Sequence, residues 1–207
     1  MYEPKVRYFT GVDLGQAQDY TALAVLERRK VIVPGAGQRR VSHYAVRYLE
    51  RFPLGTSYTS ICNRLLRLFQ QEPLTGSIMG VDQTGVGRPV LDMLRRSGIR
   101  AAIQAVTITG GYKASEDSYG GFLVPKRELV TTLQVVLQSH RIQIASTLPE
   151  AKVLNRELLN FQVKISSAAN ETFGVWREGA HDDLVLAVAL AAWRGEHTHD
   201  LNIWCGG

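Results

Sequence analysis

Between Ser77 and Ile108 the chain runs through an apolar segment (SIMGVD), a glycine-rich turn, a short amphipathic stretch (RPVLDMLRR) with Pro89 near its start, and a second apolar segment (AAIQAVTI). Strand, helix and strand in that order need a crossover connection, so the two strands must lie parallel with the helix packed on their sheet. This unit constrains the fold more than any other part of the chain: it demands an α/β sheet covered by helices.

The flanking segments extend that sheet. Arg7 to Asp13 and Thr21 to Leu26 are short, β-branched or apolar and separated by a polar turn, which predicts a hairpin, and Val41 to Leu49 alternates as a third strand. Tyr58 to Phe69 places Ile61, Leu65, Leu68 and Phe69 at helical spacing behind the possible caps Thr56 and Ser57. Gly110 to Gly121 carries four glycines and no periodicity, predicting an exposed loop. Beyond it, Pro125 to Ser139 and Leu148 to Phe161 read as helices, Ile142 to Ile144 as a short edge strand, and Gln162 to Ile165 with Thr172 to Val175 as a late hairpin. The apolar stretch from Asp182 to Trp193 (DDLVLAVALAAW) predicts a helix packed hard against the sheet, with a loosely held tail from about Arg194. The expected architecture is a single domain over residues 1–207, a mixed sheet begun by antiparallel strands, continued by parallel ones and flanked by helices.

The 207 residues, 45% hydrophobic and 21% charged, suit one sizeable globular domain. Charges at Glu3, Lys5 and Arg7 interrupt any secretory signal, and no apolar run reaches the roughly 20 residues of a membrane helix, so a soluble, intracellular protein is expected. Two cysteines, Cys62 and Cys205, make neither a disulfide framework nor a zinc ligand set. A formal charge of +5 favours a polyanionic partner without identifying one.

Acidic residues cluster at the ends of elements. Asp13 closes the first strand with Asp19 in the turn after it, Asp82 closes the strand before the glycine-rich turn, and Asp182 and Asp183 open the last helix. Ligands gather at the carboxyl ends of strands in open α/β sheets, so Asp13 and Asp82 converge if their strands are neighbours, and a helix crossing the sheet can add Asp183. Clustered carboxylates repel one another unless hard divalent cations neutralise them, and oxygen-only ligation favours Mg²⁺ or Mn²⁺. Two such ions about 3.5–4 Å apart stabilise both the attacking and the leaving oxygen of a phosphodiester. Each acid also has a plain structural reading: Asp182 and Asp183 as helix caps, Asp19 as a turn residue, Asp82 as the acceptor of an Asx-turn, Asp13 as the end of a tight turn. Glycines near the clusters, among them Gly11, Gly15, Gly80, Gly85 and Gly87, either make turns or let a phosphate backbone approach.

Three segments resemble the motifs of phage terminase large-subunit nucleases: Gly11-Val12-Asp13 with Asp19-Tyr20-Thr21, then Val81-Asp82-Gln83-Thr84-Gly85-Val86-Gly87, then His181-Asp182-Asp183-Leu184 before VLAVALA. The resemblance runs from about Arg7 to Trp193 and implies an RNase H-like fold and two-metal cleavage of double-stranded DNA as concatemeric viral genomes are packaged in the host cytoplasm. It implies Asp13, Asp82 and Asp183 as catalytic metal ligands for two Mg²⁺ or Mn²⁺ ions, with Asp19 and Asp182 as auxiliary acids. It also implies a packaging ATPase domain, a small terminase subunit and a portal as partners, and a late hairpin, around Ser166 to Asn170, that lies near the active site. No G-x-x-x-x-G-K-[ST] phosphate loop occurs, so the chain itself is expected not to hydrolyse ATP.

Lys113, Lys126, Arg127 and Arg88 are candidate DNA contacts, each also readable as an ordinary solvated charge. Three alternatives stay open at this level. A Holliday-junction resolvase would use the same carboxylate logic on a branched substrate. GVDLGQAQD also resembles the first phosphate loop of actin- and sugar-kinase-like ATPases, and a non-catalytic DNA-binding or assembly module would bind through its positive charge alone.

Overall fold

A computed structural model describes residues 6–15, 19–32, 40–86, 88–165, 171–175 and 182–198, with the backbone alone described in 161–165 and 171–175. In chain order the elements are β1 (Arg7–Asp13), β2 (Ala22–Ile32), β3 (Arg40–Arg51), α1 (Tyr58–Phe69), β4 (Ser77–Asp82), α2 (Arg88–Arg96), β5 (Ala101–Thr109), β6 (Ser115–Glu116), β7 (Phe122–Pro125), α3 (Lys126–Gln138), β8 (Ile142–Ile144), α4 (Ala151–Asn160), β9 (Phe161–Ile165), β10 (Glu171–Val175) and α5 (Asp183–His197). Eight of the strands form one sheet in the order β6-β7-β5-β4-β1-β2-β3-β8, and β9 and β10 form a separate antiparallel pair.

The sheet is mixed as expected. β1, β2 and β3 pair antiparallel, whereas β1–β4, β4–β5, β5–β7 and β3–β8 are parallel. The helix α1 begins at Ser57, whose side chain accepts a bond from the Ser60 amide, one of the two caps expected. Helices α1 and α2 cover one face over a core that includes Leu23, Val25, Ile61, Leu65, Met79 and Val81. Helices α3, α4 and α5 cover the other over Phe9, Leu26, Val106, Leu129, Leu154 and Leu190. Cys62 is buried in the first of these cores.

Two local departures from the sequence reading concern the edge of the sheet. The glycine-rich segment is not wholly loop, because Ser115–Glu116 pairs antiparallel with Phe122–Pro125, and the following helix starts at Lys126. A two-residue strand among glycines leaves no periodic pattern to read. The last helix also runs four residues beyond Trp193. Arg194 to His197 continue it rather than open a tail: Arg194 is buried, its guanidinium 4.4 Å from the Phe122 ring centre, an anchor invisible in local sequence.

α5 is the central packing element. Every residue from Asp183 to Gly195 is buried, as fits a helix apolar on all sides and enclosed by the sheet, α3 and α4. Fully burying a leucine or valine contributes about 1.5–3 kcal/mol, and Leu184, Val188 and Leu190 are all in this state. Asp183, Ala187, Ala191 and Gly195 recur every four residues and so form one stripe of the helix. That stripe leaves no room for a side chain where it meets Gly11, or where its own Gly195 meets Tyr44. A Cβ placed on Gly11 of β1 would lie 1.9 Å from the Ala187 carbonyl oxygen and 2.9 Å from the Ala191 nitrogen, and one on Gly195 would lie 2.6 Å from the Tyr44 ring. The far end of the helix is held by Arg28 of β2, which donates to the Gly195 and Thr198 carbonyls at 2.6 and 3.0 Å while its guanidinium sits 4.8 Å from the Phe9 ring centre.

Gly11 therefore serves helix packing rather than phosphate approach. Gly11→Ala is expected to destabilise the protein by about 3 kcal/mol, because the obstructing atoms are backbone and have nowhere to go. Gly110→Ala, with open space around it, should shift stability by no more than about 0.5 kcal/mol. Urea denaturation of both variants checks this, and equal midpoints would mean that α5 does not seat on β1 as described.

Candidate metal centre

The register of the parallel β1–β4 pair sets Asp13 directly opposite Asp82 at the carboxyl ends of both strands. Alternation along each strand decides the face they share. Phe9, Gly11 and Asp13 on β1, with Ile78, Gly80 and Asp82 on β4, point to the α5 side, while Val12, Met79 and Val81 enter the opposite core. Starting from the contact of Gly11 with Ala187, four helical residues advance about 6 Å to Asp183. Two strand residues advance about 6.6 Å to Asp13. The matching lengths bring the third acid to the first two.

Asp13, Asp82 and Asp183 are 6–8% exposed, and all three open onto a cleft of about 530 Å³ that Asp19, Asp182 and Lys126 also line. Asp182 is half-buried and its Oδ2 accepts a bond from Lys126 Nζ at 2.9 Å. Asp19 is exposed at the rim of the cleft. Among the described residues, no three acidic, histidine or cysteine side chains are already closed into a metal-ligand group; the acids face one cleft without converging on one point.

Each support has a local cause. The turn after β4 is stitched to β5: the Gln83 amide donates to the Val106 carbonyl, and the Ile108 amide donates to Thr84 Oγ1 at 2.7 Å. Asp82 Oδ1 accepts from the Thr84 amide at 2.8 Å, so Asp82 is an Asx-turn acceptor and a cleft acid at once. Gly85 has φ of +83°, a backbone state that glycine adopts without strain. At the first motif, the Gly15 amide donates to Thr21 Oγ1 and Tyr58 Oη donates to the Gly15 carbonyl, folding the segment back beneath α1.

The electrostatics record the crowding. Burial, and then the charges of Asp82, Asp183 and Asp182, push the Asp13 carboxyl well above the usual carboxylate range, with Lys126 opposing. Burial raises Asp82 as well, against the bonds from Thr84 and the charge of Lys126. Several like charges held out of water are costly until a cation or protons neutralise them.

No protein-family model matches the chain. Over 190 residues, 92% of its length, it is 25% identical to the terminase large subunit of Thermus phage G20c, and to the same degree to that of Thermus virus P23-45. Both of these matched proteins are phage terminase large subunits. The chain spans 32% of the length of each of these two proteins. Among solved structures it is similar to the large terminase nuclease of phage G20c with bound magnesium, at a TM-score of 0.64 and 23% identity, over 93% of this chain and 84% of that one. It is also similar to the nuclease domain of the large terminase of bacteriophage SPP1 with bound Mn, at a TM-score of 0.54 and 11% identity, over 91% and 86%. The fold is the RNase H-like one of the large-terminase nucleases.

On that terminase fold, the structure brings all five sequence-identified acids to one cleft. The basic candidates are more dispersed. Lys126 lines the cleft itself, Arg127 stacks 4.5 Å from the Tyr112 ring centre, Arg88 stacks 3.7 Å from that of Tyr119, and Lys113 is exposed on the loop between β5 and β6. The capping reading of Asp182 is corrected: at the N-cap position it makes no side-chain cap bond. The Leu184 and Val185 amides donate instead to Glu157 Oε2 of α4, at 3.0 and 3.2 Å. Glu157, 5% exposed, escaped sequence reading because nothing local marks a helical glutamate that caps another helix. Burial first, then the charge of Asp183, pushes its carboxyl up to about 7, against the bonds from the two amides and the charge of Arg51. His181, Gly87, Gly179 and Ser166 to Asn170 lie outside the described residues.

A carboxyl whose pKa is higher in the folded than in the unfolded chain binds more protons when folded, so stability falls as pH rises through that interval. For Glu157 the window runs from 4.5 to about 7, and Asp13 and Asp82 shift in the same direction. In excess chelator the melting temperature should therefore fall between about pH 4.5 and pH 7, and Asp13→Asn should flatten the fall. Differential scanning fluorimetry across that range decides it; a melting temperature that climbs with pH would contradict the crowding of acids.

Proposed function

We propose that the chain is a divalent-metal-dependent endonuclease that cuts double-stranded DNA, serving as the nuclease of a phage packaging terminase. The observation that carries this reading is the pairing of Asp13 with Asp82 across adjacent parallel strands, with Asp183 delivered to the same cleft by α5. The donor set suits a hard cation: the three buried side chains offer only oxygen, their charges are mutually destabilising, and the cleft is open to a bulky substrate. Solved relatives of this fold hold magnesium, cobalt or Mn, which supports the same class of ion here.

Asp13, Asp82 and Asp183 would hold Mg²⁺ or Mn²⁺, and a pair of such ions would supply Lewis acidity toward the scissile phosphate and lower the pKa of the attacking water. The chain's own groups do the rest. Asp19 and Asp182 stand at the rim as auxiliary acids, and the Lys126 ammonium, paired with Asp182, offsets part of the negative charge that would otherwise repel a phosphodiester. Arg88, Arg127 and Lys113 hold the DNA backbone without reading bases. The packaging ATPase domain, the small terminase subunit and the portal belong to the same proposal as partners.

Cleavage of plasmid and linear duplex DNA is expected in Mn²⁺ and Mg²⁺ and is lost in excess chelator. Asp13→Ala, Asp82→Ala or Asp183→Ala should each fall below about one hundredth of wild-type cutting while keeping the native circular dichroism spectrum. Full activity in any of the three would remove that residue from the centre. Preference for four-way junctions over duplex would point to a resolvase instead, and binding without cutting in any metal to an assembly module.

Phosphate contacts make affinity steeply salt-dependent, with a log–log slope of about −0.9 per contact. Arg88→Ala, Arg127→Ala and Lys113→Ala are each expected to make the slope for duplex binding shallower by about that amount, measured by fluorescence anisotropy in Ca²⁺. A slope unchanged in all three would place the DNA path elsewhere.

A further inference from the structure

The amides of a helix's first turn need acceptors, and the residue best placed to supply one is normally the helix's own N-cap. In α5 that residue is Asp182, an effective capping type, yet its carboxylate is turned to Lys126 and the cleft. Glu157 takes over the capping from α4, accepting both the Leu184 and Val185 amides with one oxygen. Its other oxygen lies 3.5 Å from Arg51 Nη1 at the end of β3. The Arg51 guanidinium is in turn 4.3 Å from the ring centre of Tyr20, the neighbour of Asp19. The next backbone link reinforces the same junction, since the Phe52 amide donates to the Thr21 carbonyl at 2.9 Å.

A neutral acceptor would have capped α5 without adding another acid beside Asp183. A carboxylate at this position makes sense if its charge is needed to recruit Arg51, because a guanidinium both pairs with a carboxylate and stacks flat on an aromatic ring.

We propose that Glu157 and Arg51 are positioning residues of the carboxylate centre: Glu157 caps α5 from outside so that Asp182 and Asp183 both face the cleft, and Arg51 carries that anchor across to Tyr20 and the segment bearing Asp19. The proposal rests on the metal-centre reading above and deepens it. Two acids at the start of α5 and one on the segment after β1, far apart in sequence, are tied to one ion pair that is buried at its Glu157 end and half-buried at Arg51. Partners outside a metal's own ligands typically govern affinity by about 10–100-fold, which is the scale expected here.

The test is Mn²⁺ binding to the full chain, read by electron paramagnetic resonance without DNA, for wild type, Glu157→Ala, Glu157→Gln, Arg51→Ala and Tyr20→Phe. Glu157→Ala should raise the Mn²⁺ dissociation constant about tenfold or more. Glu157→Gln keeps an oxygen for the two amides but not the charge for Arg51, so it should recover part of that loss and bind about as weakly as Arg51→Ala, while Tyr20→Phe keeps the stacking ring and should match wild type. Arg51→Ala should weaken binding by a factor between about 3 and 10, with the Leu184 and Val185 amides still protected from hydrogen exchange. If Glu157→Ala does not fold, the comparison of Glu157→Gln and Arg51→Ala with wild type carries the decision. Wild-type affinity in both Glu157→Ala and Arg51→Ala, or in both Glu157→Gln and Arg51→Ala where Glu157→Ala does not fold, would overturn the positioning role and leave the metal centre standing. Absence of Mn²⁺ binding in the wild type would overturn the metal centre and the positioning role with it.

Discussion

The approach of α5 to β1 at Gly11 sets the depth of everything at the cleft. Helix and strand come together at backbone distance because no Cβ intervenes at Gly11, and the helix residues that meet it are Ala187 and Ala191. A bulkier seat would lift α5 off the sheet and carry Asp183 away from Asp13. Burial of the helix from Asp183 to Gly195 between the sheet and two other helices stabilises this contact, and hydrogen bonds at each end stop the helix from sliding.

Against that rigid support stands an electrostatic arrangement that the folded chain tolerates rather than favours. Asp13 and Asp82 are register partners on adjacent strands, with Asp183 facing them, so three carboxylates share a region with little access to water. The raised Asp13 carboxyl reflects that conflict. Free energy taken from packing holds the acids where a divalent cation would relieve them, the usual relation between a stable scaffold and a strained site.

Much of this was legible in the sequence, and the reasons are specific. The crossover from Ser77 to Ile108 made β4 and β5 parallel, and the hairpin made β1 and β2 antiparallel, so a mixed sheet followed from connection lengths alone. Four of the five acids stood out because they closed strands or opened a helix, and Asp19 because it lay in the turn just after one of them. What lay beyond reach depends on contacts between distant segments. Glu157 sits 27 positions from the amide it caps, and Arg194 reads as a tail residue until Phe122 is placed beside it. Gly11 reads in sequence either as a turn glycine or as room for a phosphate backbone, because nothing local shows that a helix packed from far along the chain needs the space.

The clamp of Arg28 on the end of α5 turns the helix into a fixed gauge between two anchorages. Between Gly195, held by Arg28, and Asp183 lie roughly 18 Å of helix. One residue added or removed in that interval rotates its far end by about 100°. Asp183 would then leave the cleft although every motif in the sequence remained intact. The loops of such a chain are free to change length over time, while this helix must keep its count.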